Sequence, residues 1–181
     1  RLRNTRGRGH RRSRQTTPKR ILSDRKGFVM LSRDAKASGL SLGLSSPFER
    51  PWRRSERAMR CLKQGRVLWY APDQDYGAEH SVFVPFFGNL AATITAGSRF
   101  AKFNDSPVIF FSHYRRPDNS GYDIYFSEVL TDYPSGNDEE DGRIINRLVE
   151  TAIRRQPDQY LWLHKRFKTT PPGKIGNPYS A

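Results

Sequence analysis

Apolar side chains are sparse up to about residue 55 and then recur in short patterned runs. Residues 56–64 place Ala58, Met59, Cys61 and Leu62 at spacings that predict a short helix, with Gly65 as its C-cap. Residues 67–70 (VLWY) predict a buried strand, stopped by Pro72. Residues 81–87 predict a second strand, ended by Gly88. Residues 90–103 carry apolar residues at three-to-four spacing and predict a helix. Residues 108–111 and 122–129 predict two further strands, separated by a turn composition at 116–121 (RPDNSG). Residues 138–155 predict a helix whose acidic start and Arg154-Arg155 end both suit the macrodipole. Pro157 and Asp158 open one more predicted helix over 159–167, and Pro171-Pro172 ends regular structure. This order of helices and strands indicates a mixed α/β layer fold.

Composition divides the chain at the same place. Residues 1–60 hold 18 basic and 4 acidic side chains, and residues 61–181 hold 14 of each. The whole net charge of +14 therefore sits in the first third, while 19 of the 22 aromatic residues lie beyond it. Residues 1–54 read as a basic head, too poor in apolar side chains to offset their ordering entropy, and disordered or non-native. Residues 55–181 read as a neutral body long enough for one ordinary core. The single Cys61 excludes an intramolecular disulfide framework and a multi-cysteine zinc site, and reads as a buried thiol of the first helix. No stretch approaches the ~18 apolar residues of a spanning helix. The chain opens on Arg1 rather than Met, which reads as a fragment or a processed product.

Four groups of residues carry candidate chemistry. Asp73 and Asp75 follow a strand into a loop, and alternate positions of extended backbone point the same way. The pair can orient a cation, bind a metal or hold a catalytic base; equally, it suits a turn whose carboxylates satisfy loop amides. His164, Lys165, Arg166 and Lys168 cluster at the end of the last predicted helix, where they suit a phosphate or carboxylate partner or a solvated helix end. Tyr160, Leu163 and Phe167 share one face of that helix. His113 and Asp118 spell a histidine, four residues and an aspartate, the spacing of an acyltransferase base and its orienting carboxylate. That short pattern arises easily by chance, and here it runs from a strand end into a turn. The Arg-Gly head suits RNA or an anionic membrane surface, which leaves a nucleic-acid-binding protein as the alternative function.

Several strings together resemble one family. They are residues 58–65 (AMRCLKQG), 68–77 (LWYAPDQDYG), 81–88 (SVFVPFFG) and 159–169 (QYLWLHKRFKT). In this order they are similar to the C-terminal part of the secondary acyltransferases of lipid A biosynthesis, closest to the lauroyl type. The resemblance covers about residues 56–177. It implies a glycerol-phosphate-acyltransferase-like α/β fold with a mixed sheet and flanking helices, incomplete here at the N-terminus. It also implies a Gram-negative inner-membrane enzyme on the cytoplasmic face. That enzyme moves an acyl chain from acyl carrier protein to the hydroxyacyl chain of a Kdo2-lipid A precursor. It needs no metal and no cofactor beyond the acyl donor, and its partners are that carrier protein, the precursor and membrane lipid, with no nucleic acid. Asp73 and Asp75 match positions that support catalysis, and residues 164–168 offer substrate anion contacts. The family's histidine motif lies upstream of the tryptophan-tyrosine strand and has no counterpart in this chain. His113, downstream, is therefore read as a decoy, and this chain alone as inactive.

Overall fold

The structure is a computed structural model that describes residues 27–30, 51–174, 176, 178 and 179. Nine helices and strands are found among them: β1 (Gly27–Met30), α1 (Pro51–Lys63), β2 (Leu68–Tyr70), β3 (Ser81–Phe86), β4 (Asn89–Ile94), α2 (Ala96–Asn104), β5 (Val108–Arg115), β6 (Tyr122–Val129) and α3 (Asp138–Arg155). The expected α/β class holds, but the expected single mixed sheet does not. The strands form two sheets, β2-β1-β5-β6 and β3-β4, and every pairing is antiparallel. One element crosses the sequence boundary at residue 54, and another lies wholly before it. β1 sits between β2 and β5, and α1 begins at Pro51. The rest of the head lies outside the described residues.

The helix predicted over 90–103 is in fact a strand followed by a shorter helix. β3 and β4 pair in register from Ser81 opposite Ile94 to Phe86 opposite Asn89. Only Phe87 and Gly88 remain between them, at φ 47° and 78°. Positive φ at both central residues is the two-residue hairpin turn whose twist matches the strands. Phe87 is an uncommon residue there, and its surroundings hold it. Its N–H donates to Glu150 Oε1 at 2.7 Å, its ring meets Phe86 edge-on at 4.9 Å, and the Arg154 guanidinium lies 4.8 Å from the ring centre.

α3 forms as its sequence requires. The Asn137 side chain caps it, accepting from the N–H groups of Glu139 and Glu140, and the acidic first turn suits the dipole. The helix packs on the hairpin at Gly142, where a Cβ would stand 3.0 Å from both Val82 Cγ2 and Val84 Cγ2. Glycine sets how closely the two elements approach. The core then runs from Leu62 of α1 through Phe86, Val108 and Phe110 to Ile145, Val149 and Ile153 of α3. Each such side chain contributes roughly 1.5–3 kcal/mol on full burial. Cys61 is a free, half-buried thiol on α1.

The predicted helix over 159–167 is replaced by two 3₁₀ turns, Pro157–Gln159 and Trp162–His164. Tyr160 between them is extended, and Lys165 takes φ 46°. The expected apolar face is broken accordingly: Tyr160 is buried, while Leu163 is 87% exposed. The inward place is taken by Arg166.

Candidate functional site

The loop after β2 and the segment after α3 lie ninety residues apart in sequence and meet in space. β2 delivers the chain to a buried Pro72, which fixes the direction of entry into the loop. Three successive loop residues then engage the later segment. Asp73, 2% exposed, is close enough to Tyr160 and Arg166 to act on both electrostatically. Gln74 Nε2 lies 3.4 Å from His164 Nε2. Asp75 accepts from Thr169 N–H and from Thr169 Oγ1, each at 2.8 Å, and from Gly77 N–H at 2.9 Å.

Asp73 and Asp75 therefore have different surroundings. The Asp75 carboxylate is committed to the loop's own turn and to Thr169, the loop-amide arrangement weighed above. Asp73 acts on Tyr160 and Arg166, and Asp75 also reaches Arg166 electrostatically. Among the described residues no group of three or more acidic, histidine or cysteine side chains is placed to hold a metal ion.

Arg166 departs from the expected outward anion contact. It is 3% exposed, and its guanidinium is engaged inside the fold. Nη1 donates to the Ala92 carbonyl, and Nη2 donates to Thr93 Oγ1 at 2.8 Å and to Asn146 Oδ1 at 3.3 Å. The guanidinium also lies 5.2 Å from the Phe86 ring centre. Asn146 closes the net by donating to the Pro85 carbonyl at 2.9 Å. Arg166 thus ties the C-terminal segment to the hairpin and to α3. The four expected cations do not act as a set. His164 is half-buried beside Gln74, whereas Lys165 and Lys168 are exposed.

Burial dominates the electrostatics. It lowers the Arg166 pKa, opposed by Tyr160 first and then by Asp73 and Asp75. It pushes the Tyr70 phenol well above its ordinary value, with smaller contributions from Tyr133, Tyr76 and Asp73. It raises Tyr160 as well, and the Asp73 charge and a side-chain contact to Asp73 add to the rise. Both phenols stay protonated and can act as hydrogen-bond donors. Tyr160 Oη nevertheless makes no hydrogen bond of good geometry. Tyr160 and Thr169 are the partners that sequence reasoning missed. Only their place inside a conspicuous aromatic-basic string marks them, because a helical reading of 159–167 sends attention to the wrong face.

His113 and Asp118 are not brought together. His113 is buried on β5, opposite Ile124, with its ring beside those of Phe111 and Tyr122. Asp118 stands exposed at the tip of the β5–β6 turn and caps it by accepting from Ser120 N–H at 2.9 Å, which holds its carboxyl below the ordinary range. A strand advances roughly 3.3 Å per residue, so the chain carries the carboxylate away from the ring.

Known proteins are similar to this chain in sequence. The family model of bacterial lipid A biosynthesis acyltransferases matches residues 52–169. The Escherichia coli K12 lipid A biosynthesis lauroyltransferase is 40% identical over 116 residues, covering 64% of this chain and 38% of that protein. The palmitoleoyltransferase of the same organism is 36% identical over 114 residues, covering 62% and 37%. A lipid A biosynthesis acyltransferase of Haemophilus influenzae is 37% identical over 124 residues, covering 67% and 40%. The chain spans less than half the length of these curated relatives. The matched stretch holds the loop, the hairpin, α3 and the segment through Thr169, and on that ground the chain belongs to the bacterial lipid A biosynthesis acyltransferases.

Proposed function

We propose that this chain is part of an enzyme that transfers a fatty acyl group from acyl carrier protein to the hydroxyacyl chain of a Kdo2-lipid A precursor. In this reading it forms part of a glycerol-phosphate-acyltransferase-like fold at the cytoplasmic face of the inner membrane of a Gram-negative cell. One observation carries the reading: the two most family-like strings, 68–77 and 159–169, close on each other around the buried Asp73. No helix among the described residues is long and apolar enough to cross a membrane.

The reaction needs a base to take the proton of the acceptor hydroxyl. The hydroxyl oxygen attacks the thioester carbonyl, an ester C–O bond forms, the C–S bond breaks, and the proton ends on the leaving thiol. His113 is ill-placed for that base, so in this reading the base comes from the rest of the enzyme and the 181-residue chain alone is inactive. Asp73 orients the base or a cation beside it. Asp75 supports Asp73 by holding the loop to Thr169. Lys165 and Lys168, with His164, meet the anionic groups of substrate or carrier protein, and Arg166 holds their segment in place.

The test is acyl transfer from acyl carrier protein to Kdo2-lipid IVA by the complete gene product. Asp73→Ala is expected to lower kcat by about 100-fold or more, the scale of a lost acid–base contribution. Full activity in Asp73→Ala would sink the reading. Activity of the isolated chain that disappears in His113→Ala would replace it with one built on His113.

A further inference from the structure

β5 has two faces, and the helices cover one of them. Val108 and Phe110 join one core with Leu62 of α1, Ala101 of α2 and Val149 of α3. Tyr114 points the same way, its hydroxyl donating to the Ala152 carbonyl at 2.8 Å. Alternate residues of a strand point to opposite faces, so Ile109, Phe111 and His113 lie on the other one. The β5–β6 register sets Val129, Phe126 and Ile124 opposite them, with Tyr122 opposite Arg115. Cross-strand partners share a face. The rings form a continuous strip: Phe126 lies 6.0 Å from Phe111, Phe111 6.2 Å from His113, and His113 5.7 Å from Tyr122. Yet Ile124 is 56% exposed, Phe126 65% and Val129 47%.

This reverses what water asks of a strand. An antiparallel sheet that is wet on one face turns polar residues outward. β6 instead turns Tyr122, Ile124 and Phe126 outward, while Asp123, opposite Tyr114, takes the covered side. The alternation therefore encodes a second buried layer, and no helix among the described residues supplies it. Composition narrows the occupant. The strip carries one charged side chain, Arg115, at its end. An anionic bilayer is held by clustered cations, whereas an aromatic face depleted in charge suits an apolar protein surface. The matched stretch is 38% of the Escherichia coli lauroyltransferase, so most of that protein's residues lie outside it. A sheet packed by helices on one face takes its second layer from its own domain. We propose that the exposed face of β5 and β6 is the docking surface for the rest of the acyltransferase, which lays the apolar stripe of one or more helices across Phe111, Ile124 and Phe126. The inference rests on the proposed function only in taking this chain as part of a larger enzyme. It also accounts for His113, whose ring packs within this interface.

The experiment places single cysteines in the complete gene product, in a cysteine-free background that includes Cys61→Ser. Ile124→Cys and Phe126→Cys test the strip, and Ser120→Cys in the exposed β5–β6 turn is the open control. Maleimide labelling of the native protein is expected to be at least about 100-fold slower at 124 and 126 than at 120, and equal in urea. A photoreactive benzophenone amino acid in place of Phe126 then identifies what covers the face, by mass spectrometry of the digested cross-link. It keeps an aromatic ring at that position and gives the second reading where a cysteine variant fails to fold. Attachment to the same polypeptide outside these 181 residues supports the inference. Labelling as fast as at Ser120→Cys overturns it. So does attachment within the 181 residues, to lipid or detergent, or to a second copy, which mixed isotope-labelled and unlabelled protein reveals. Neither readout depends on turnover, so each stands apart from the reading of Asp73. A covered face beside full activity in Asp73→Ala keeps the inference and removes that reading. An open face beside inactive Asp73→Ala does the reverse.

Discussion

Two regions of this molecule carry acyltransferase-like chemistry in their sequences, and the fold treats them in opposite ways. The Asp73–Asp75 loop and the 159–169 segment are far apart in the chain and meet inside it, whereas His113 and Asp118 are five positions apart and are separated. Backbone geometry makes the difference. A strand running into a turn drives neighbouring residues apart, while two segments packed on a common hairpin bring distant ones together. Short spacing is therefore weak evidence for a site unless the element carrying it is known.

The first way to break the comparison is alkaline pH. Tyr70 and Tyr160 belong to the buried joint, and Tyr133 is buried nearby against Gly97. All three phenols are raised above the ordinary value of 10.0, chiefly by burial. A raised folded-state pKa contributes stability that is complete below the unfolded value and is lost as pH climbs past it. Stability should thus fall from about pH 10 upward, by as much as ~1.4 kcal/mol per pH unit for each such tyrosine. Phenolate absorbance followed beside circular dichroism checks this. The buried phenols should ionise only as the fold is lost, and their smooth ionisation with the fold intact would show the joint to be open.

The strand at 81–86 and the helix at 138–155 were legible because each carries an unambiguous local signal: an apolar run closed by Gly88, and an acidic start ending in paired arginines. The β4 strand was not. Ala91, Ala92, Thr93 and Ile94 fit either period, and the turn before them places Phe87, not asparagine, at positive φ. The 159–167 segment failed for another reason. A helix pattern assumes that the apolar residues face inward and the cations outward, but Arg166 goes in and Leu163 out. β1 lies in a head whose composition hides it. Asp75 was legible within its string, but its partner Thr169 depends on a tertiary contact that no local pattern encodes.

Arg166→Ala is the next largest test. It leaves the Ala92 carbonyl, Thr93 Oγ1 and Asn146 Oδ1 without their charged donor in a buried interior. A cost of about 3 kcal/mol or more in urea unfolding is expected, the scale of a broken buried charge network. A loss within error would mean that the hairpin and the C-terminal segment are held by packing alone. Thr169→Val should cost less, about 1.5–3 kcal/mol, because it removes one hydrogen bond to the Asp75 carboxylate while the Thr169 N–H keeps the other.

The smallest effects belong to the other region, and they sharpen the comparison by being small. His113→Phe replaces one flat ring with another between Phe111 and Tyr122, so it should cost less than about 1.5 kcal/mol, as volume-conserving core exchanges do. Asp118→Ala removes only the cap on Ser120 at an exposed tip, and its unfolding midpoint should not move measurably. Neither change should alter acyl transfer by the complete gene product, because the turn keeps its closing bond from Arg116 N–H to the Gly121 carbonyl. A comparable fall in kcat for both, absent from Asp73→Ala, would reverse the assignment. The residues brought together by β5 and its turn would then matter more than those gathered around Asp73.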